Sequence, residues 1–376
     1  MKPHIAFGLA AMILAGAAEF GSLEVVAEAP GGLGQAAPAP GGSWSVPRTA
    51  EGRPDLQGNW SNATLTPLER DKGQDLILTD AQAARIEERT RQVAEFRDQP
   101  SDPDRPAPPK GGEQRQLPGE PTFIERISQV AGGAVGGYNN FWLDPGDRVL
   151  RVDGRPRSSI VIDPPDGRVP AFTPEARKRQ DTAAAARKRF GAFDHPELRA
   201  LAERCLTSFG SNMGPPMLPN YFYNNNYQIV QTKDHVMIMT EMVHDVRVIR
   251  LNDSTHPPKH IRLWFGDSIG RWEGDTLVVE TTNFHPLQEF RGASESLKVI
   301  ERFTRNGPDS ILYRFTIEDP TTFSAPWTGE LVFNRFDEMI YEYACHEGNY
   351  ALTNILQGER AREKREADGK KLPHED

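Results

Sequence analysis

From Tyr227 onward the chain is a succession of short apolar runs separated by Asp, Gly and Pro turns, a pattern that restricts it to folds built from antiparallel strands. The runs begin at Tyr227, Val236, Arg247, Thr276, Leu297, Ile311, Gly329 and Met339, the last reading Met339-Ile-Tyr-Glu-Tyr-Ala-Cys345. Together they are enough strands to close a barrel, and closure removes exposed sheet edges. The expected fold is therefore mainly β, an antiparallel β-barrel with helical and Pro-rich insertions in the N-terminal half.

The N-terminal half supplies the insertions. Thr79-Asp-Ala-Gln82 fits a capping box and predicts a helix over 79–97, while residues 99–121 are Pro-rich and read as an extended connection. A hairpin is expected on either side of the Asp153-Gly154 turn, between Arg148 and Asp163. Residues 174–206 are Ala-, Arg- and Glu-rich with helical spacing and breaks at Gly191 and Pro196, which predicts two short helices covering one side or end of the sheet. Gly58-x-Trp60 heads the first strand. The reading is a single barrel domain over 48–358, followed by a charged tail over 359–376 that is a frayed helix or disordered.

Upstream, Met1-Lys-Pro-His precedes an apolar stretch from Ile5 to Ala18, the pattern of a secretory leader. Residues 1–29 are read as a signal peptide, cleaved after Ala17 or Ala18 or at a second site near Ala29, and residues 30–47 as a flexible Pro/Gly/Ala linker. The alternative is an uncleaved anchor helix. The stretch is short for a bilayer span, so no stable membrane insertion is expected once it is removed, and the location is periplasmic or secreted. In that oxidising setting the isolated pair Cys205 and Cys345 is expected to form a disulfide, with a chain-entropy contribution of roughly 4–5 kcal/mol. A catalytic Cys345 assisted by His346 is the weaker reading, since adjacent strand residues point to opposite faces.

With 44 Lys+Arg against 53 Asp+Glu among 376 residues, the net charge of -9 and the lack of basic clusters interleaved with aromatics argue against nucleic-acid or anionic-membrane partners. A small-molecule substrate or ligand is the expected partner. No Gly-x-Ser-x-Gly, Walker-type, Rossmann-type, His-Glu-x-x-His or Cys-x-x-Cys motif is present.

Carboxylates inside apolar strands are the unusual feature. Glu280 sits mid-strand in Thr276-Leu-Val-Val-Glu-Thr-Thr282, and Glu241, Glu301 and Glu342 recur in comparable runs. Period-two alternation groups Val278, Glu280 and Thr282 against Leu277, Val279 and Thr281, and Leu297, Val299, Glu301 and Phe303 together. If the apolar faces of Leu277/Val279 and Ile311/Tyr313/Phe315 pack on covering elements, Glu280, Arg314, Glu342 and His346 converge inside the barrel, where buried carboxylates need partners or raised pKa values. The competing expectation is an ordinary solvated face of cross-strand ion pairs.

Histidines and aromatics add candidates. His256-Pro-Pro-Lys-His260 mimics an i, i+4 metal pair, but two prolines prevent the helix that would align the rings. His244 and His346 each follow or end a strand; with a carboxylate they would suit zinc, although no cofactor is expected. Trp272, Asn226 and Tyr227 belong to aromatic and amide clusters that can shape a ligand pocket or simply plug barrel ends and make turns.

The segments Gly52-Arg-Pro-Asp-Leu-Gln-Gly-Asn-Trp60, Asp163-Pro-Pro-Asp-Gly-Arg168, Tyr223-Asn-Asn-Asn-Tyr-Gln-Ile229, Gly270 to Phe284 and Tyr341-Glu-Tyr-Ala-Cys-His-Glu-Gly-Asn-Tyr350 resemble a family of exported proteins from acidobacteria and sphingomonads. The resemblance runs from about Arg48 to Glu359 and carries no functional residue with it. The Gly58-x-Trp60 entry also resembles the lipocalin-related calycin barrels, so the barrel is expected to be calycin-like. The functional expectation is an exported hydrolase or lyase acting by acid/base chemistry on a small oxygen-rich or sugar-like molecule. In it Glu280 or Glu301 is the base, His346 the acid, and Glu342 and His244 are further catalytic candidates; Arg314 holds an oxyanion, and Trp272, Asn226 and Tyr227 form the pocket. The alternative is a non-catalytic lipocalin-like binder of a small hydrophobic ligand.

Overall fold

The computed structural model describes residues 44–97, 144–208, 214–220, 224–253, 255–288 and 290–369. The expected leader, most of the linker and the Pro-rich connection lie outside them. Twelve strands run in chain order: β1 (Gly58–Ser61), β2 (Arg151–Val152), β3 (Arg155–Pro156), β4 (Val161–Asp163), β5 (Asn226–Gln231), β6 (His235–Thr240), β7 (Val246–Arg250), β8 (Asp267–Glu273), β9 (Thr276–Thr282), β10 (Lys298–Gly307), β11 (Ser310–Glu318) and β12 (Trp327–Arg335). Nine of them close a barrel in the order β1, β5 to β12 and back to β1, with β4 added on β12. The pairings are antiparallel except β7 with β8, which run parallel and meet over two register pairs, Ile249 with Ser268 and Arg250 with Ile269. The last expected run forms no strand: residues 338–350 are irregular, and Glu342 and His346 lie in this extension. β8 lies just before the Gly274–Asp275 turn; Gly274, at φ 59°, gives the two-residue hairpin the backbone hand it needs.

The β8–β9 and β10–β11 turns share one end, the hairpin end; β5 and β7 start, and β6, β9 and β11 finish, at the other, the loop end. Alternation is as expected, but its direction is reversed. The apolar faces of Leu277/Val279 and Ile311/Tyr313/Phe315 line the lumen instead of meeting a covering layer, and Glu280 and Arg314 therefore lie on the outer wall. Burying the aromatic face removes far more apolar area from water than burying the Glu/Thr face could. Tyr227, Phe333, Tyr313, Phe315 and Trp327 follow one another through the lumen with ring centroids 5.1 to 5.8 Å apart. Gly329 on β12 leaves room for this column, because a Cβ there would stand 2.4 Å from Phe315 Cζ. Leu56 packs into the same core, where Trp60 Nε1 donates to its carbonyl at 2.9 Å, and Met217 joins it at the other end.

One charged pair sits among these rings. Arg247 of β7 and Glu301 of β10 are separated along the wall by two strands yet meet inside, at Nη1–Oε2 2.5 Å and Nη2–Oε1 3.0 Å. Tyr313 donates its hydroxyl to Glu301 Oε1 at 2.9 Å and accepts the Met217 backbone N–H at 3.0 Å. Burial and the neighbouring Glu301 charge push the Tyr313 hydroxyl well above its ordinary pKa, so it remains a donor.

Outside, helix α1 (Asp80–Arg97) starts with the expected capping box, Gln82 N–H to Thr79 Oγ1 at 3.2 Å and Thr79 N–H to Gln82 Oε1 at 2.8 Å. Its Ala83 joins Leu65, Leu78 and Val149 in a satellite core, and the β2–β3 hairpin buries Leu150 and Val152 on Leu312 and Val332 of the outer wall. Helix α2 (Pro174–Arg187) begins the second excursion, with Thr173 Oγ1 accepting from Ala176 N–H. Only a single tight turn at Pro196–Leu198 follows where a second helix was expected. Helix α3 (Ala351–Ala367) begins before the expected tail boundary and includes the first half of the charged tail. Cys205 and Cys345 form the expected disulfide. Among the described residues no helix is long and apolar enough to cross a membrane.

Replacing Arg247 by Met leaves Glu301 buried without a counter-charge, and should cost about 3–5 kcal/mol of unfolding free energy. The double variant R247M/E301L should recover most of that loss. Urea titrations of wild type, the single variant and the double variant measure both.

Candidate functional site

The interior pair is sealed from solvent, with the Glu301 side chain 0 % exposed, so its chemistry is structural in this conformation. The accessible cluster of titratable groups is on the outer wall at the loop end. It arises because β8 begins with Asp267 and β9 carries Glu280: register pairs Asp267 with Thr282 and Ile269 with Glu280, so the two carboxylates are diagonal neighbours on one face. The loop between β7 and β8 returns from the hairpin end and lays His256 between them.

His256 Nδ1 is 2.7 Å from Asp267 Oδ2, and Nε2 carries no hydrogen bond and faces Glu280 Oε1 at 3.5 Å. The Asp267 carboxylate accepts only, so Nδ1 holds the proton and Nε2 is the position that gains or loses one. Asp267 is fixed from its other side by Arg250, with Nη1–Oδ1 at 2.5 Å and Nη2–Oδ2 at 3.0 Å. Burial alone would raise the Asp267 pKa, but the hydrogen bonds from Arg250 and His256 outweigh it and hold the carboxyl below its usual range. Beyond Glu280, Lys298 Nζ stands 3.8 Å from Oε2 and 2.8 Å from Glu318. The hydrogen bond to Glu318 raises the Lys298 pKa, against a smaller lowering by burial. Charges of alternating sign thus run across β7 to β11, with one imidazole in the middle. That arrangement can shuttle a proton at Nε2, with Asp267 steadying the imidazolium and Lys298 supplying positive charge beside the Glu280 carboxylate.

The other sequence candidates are dispersed. Glu301 is in the lumen pair; Arg314 lies on the outer wall, with Nε donating to Glu330 Oε1 at 3.0 Å and a second bond from Nη2. Trp272 packs against the core on β8, two residues before the turn at the hairpin end. Tyr227 is wholly buried in the lumen, its hydroxyl accepting from Asn62 Nδ2 at 3.2 Å. Asn226 lies at the loop end and donates to Glu241 Oε2 at 2.8 Å. Glu342 and His346 are exposed in the irregular C-terminal extension, and His244 belongs to a tight turn after β6, its side chain outside the described residues. Glu280, Arg314, Glu342 and His346 therefore do not converge in the barrel. Among the described residues, no three His, Cys, Asp or Glu side chains are grouped to hold a metal ion. In the sequence His256 stands out only beside His260, and Asp267 carries no signal. Their pairing depends on a loop crossing between parallel strands, and no periodicity announces it.

No protein-family model matches the chain, and neither does any curated protein.

Glu241 is the remaining unusual carboxylate. Burial raises its pKa and the charge of Asp144 adds to this, while hydrogen bonds from the Tyr341 N–H, Asn226 and Asn224 oppose it. The two carboxylates have opposite pH signatures. Asp267, depressed in the fold, contributes stability that is complete above about pH 3.9 and lost as pH falls through its folded value. Glu241, raised in the fold, contributes stability that is complete below about pH 4.3 and lost as pH rises through its folded value. Urea midpoints followed against pH should show D267N flattening the acid limb and E241Q removing the decline above it.

Proposed function

We propose that this is an exported enzyme performing acid/base chemistry, a hydrolase or lyase, on a small oxygen-rich molecule at the outer wall of the barrel's loop end. The observation that carries this reading is the His256 imidazole, oriented through Nδ1 by a buried Asp267 and presenting an unbonded Nε2 toward Glu280. In this reading His256 transfers the proton, Asp267 fixes its tautomer, and Glu280 with Lys298 balances charge developing on a substrate oxygen. Glu280 keeps the catalytic role expected for it, and its partner is His256 in place of His346. Export is supported by the leader-like N-terminus and agrees with the Cys205–Cys345 bridge. A lipocalin-like ligand in the lumen has less support, because a continuous column of buried rings occupies that space.

The test is a turnover screen of the mature protein against p-nitrophenyl esters, lactones and p-nitrophenyl glycosides, repeated with H256Q, D267N and E280Q. H256Q should lower kcat at least 100-fold. D267N should displace the pH–rate profile, and melting temperatures should stay within a few degrees of wild type. Unchanged turnover in both H256Q and E280Q would overturn the assignment.

A further inference from the structure

The turn that joins β6 to β7 brings together three features. Val243 has a left-handed backbone, φ 64° and ψ 13°, a conformation that a β-branched side chain adopts only when its surroundings impose it. The strand that follows carries Arg247 and joins β8 over only two register pairs, as few as at the closure of β1 on β12, and in the one parallel pairing of the wall. The imposing contacts are apolar: Met242 and Val243 are buried against Phe265 and against Tyr343 of the C-terminal extension.

The extension that supplies Tyr343 has little to hold it. Residues 336–350 contain no strand, and Met339 and Tyr341 are exposed. An open cleft of about 420 Å³ adjoins it, lined in part by Tyr343, Cys345, Asn349, Leu352 and Ile355. Its polar ties include the Phe336 N–H to the Asn59 carbonyl at 2.9 Å, Asn59 Nδ2 to the Glu338 carbonyl at 3.5 Å, the Tyr341 N–H to Glu241 Oε1 at 3.3 Å, Asn349 to Cys205 Sγ at 3.2 Å and to the Glu203 carbonyl at 3.5 Å, and, just beyond it, Arg360 of α3 to the Phe193 and Asp194 carbonyls. Its one covalent tie is the Cys205–Cys345 bridge, two residues from Tyr343 and 140 residues apart in sequence.

We propose that residues 336–350 are a disulfide-held strap that keeps the strained β6–β7 turn closed, and that a dithiol reductant releases it. In the release step the dithiol's thiolate attacks one sulfur of the bridge and its second thiolate closes the reductant's own disulfide. Cys205 and Cys345 take up the two electrons and two protons as thiols. Tyr343 can then leave Met242 and Val243, the left-handed residue relaxes, and the seam opens beside Arg247. The barrel itself persists, because the other eight junctions of the ring are held by their own strand pairings; at the closure of β1 on β12 the strap adds only the Phe336 N–H to the Asn59 carbonyl and Asn59 Nδ2 to the Glu338 carbonyl. Local opening of one poorly secured segment, with the rest intact, is ordinary behaviour for a folded chain.

Hydrogen–deuterium exchange of the full mature protein, with and without tris(2-carboxyethyl)phosphine as a thiol-independent reductant or dithiothreitol as the dithiol, tests this. Reduction should speed exchange of amides 241–247 at least tenfold while those of β10 and β11 hold their rates. Y343A with its disulfide intact should show the same local rise, and V243G, in which the left-handed turn is unstrained, should respond severalfold less. The proposal is overturned if exchange at 241–247 is unchanged on reduction, if all strands accelerate together as for a bridge that only stabilises the whole fold, or if Y343A exchanges like wild type.

Discussion

Everything in this barrel is arranged around the meeting of Arg247 and Glu301 inside it. A lumen ringed by nine strands has to be filled, and here most of it is filled by aromatic rings, which tolerate no unpaired charge among them. The guanidinium gives the carboxylate two hydrogen bonds and the Tyr313 hydroxyl adds a third to Glu301, while Arg247 Nε is left without a partner. The pair ties β7 to β10 from within, across the two strands that separate them along the wall. That inner tie matters because the β7–β8 junction is short and parallel, and its outer reinforcement comes from a segment of chain held chiefly by a disulfide.

Polarity is consequently sorted between the two faces of the wall. Inside, the charges are the Arg247–Glu301 pair and, toward the hairpin end, Arg305, whose guanidinium lies 5.1 Å from the Trp60 ring centroid and donates to backbone carbonyls; outside, Arg250, Asp267, His256, Glu280, Lys298 and Glu318 form an alternating series open to solvent at Glu280 and Lys298. Within that series His256 is the one side chain with both a donor and an acceptor nitrogen, held by Asp267 at Nδ1 and with Nε2 facing Glu280. The lumen pair holds no such ring and is sealed from solvent. Two glutamates of the same sheet that look alike in sequence, each isolated in an apolar strand, thus have opposite surroundings: Glu280 is half-buried on the outer wall and Glu301 is sealed in the lumen.

Much of the fold is legible in particular residues. The capping box at Thr79 and Gln82, the Gly58-x-Trp60 entry and the pairing of the two cysteines each depend on local chemistry or on having no alternative partner. The run from Thr276 to Thr282 likewise shows its two faces directly. Reading which face is buried is harder: the carboxylate at Glu280 invites an inner polar cavity, but the choice depends on what stands across the lumen, and the opposing faces of β11 and β12 offer aromatic rings. The expected strand at Met339–Cys345 has suitable alternation but no free edge to join, since β12 is already flanked by β11 on one side and by β1 and β4 on the other.

By itself the sequence determined eight of the nine barrel strands, all but β8, together with the period-two division of those strands, the helix start at Thr79 and the disulfide partners, because all of these follow from local spacing or from composition. Only the tertiary structure decided that Leu277, Tyr313 and Phe315 face inward, that Arg247 and Glu301 meet across the lumen, and that His256 lies between Asp267 and Glu280. Alternation with a period of two is unchanged when a strand is turned over, and contacts between distant loops depend on strand order. Both are settled only when the whole ring closes and the larger apolar area goes inside.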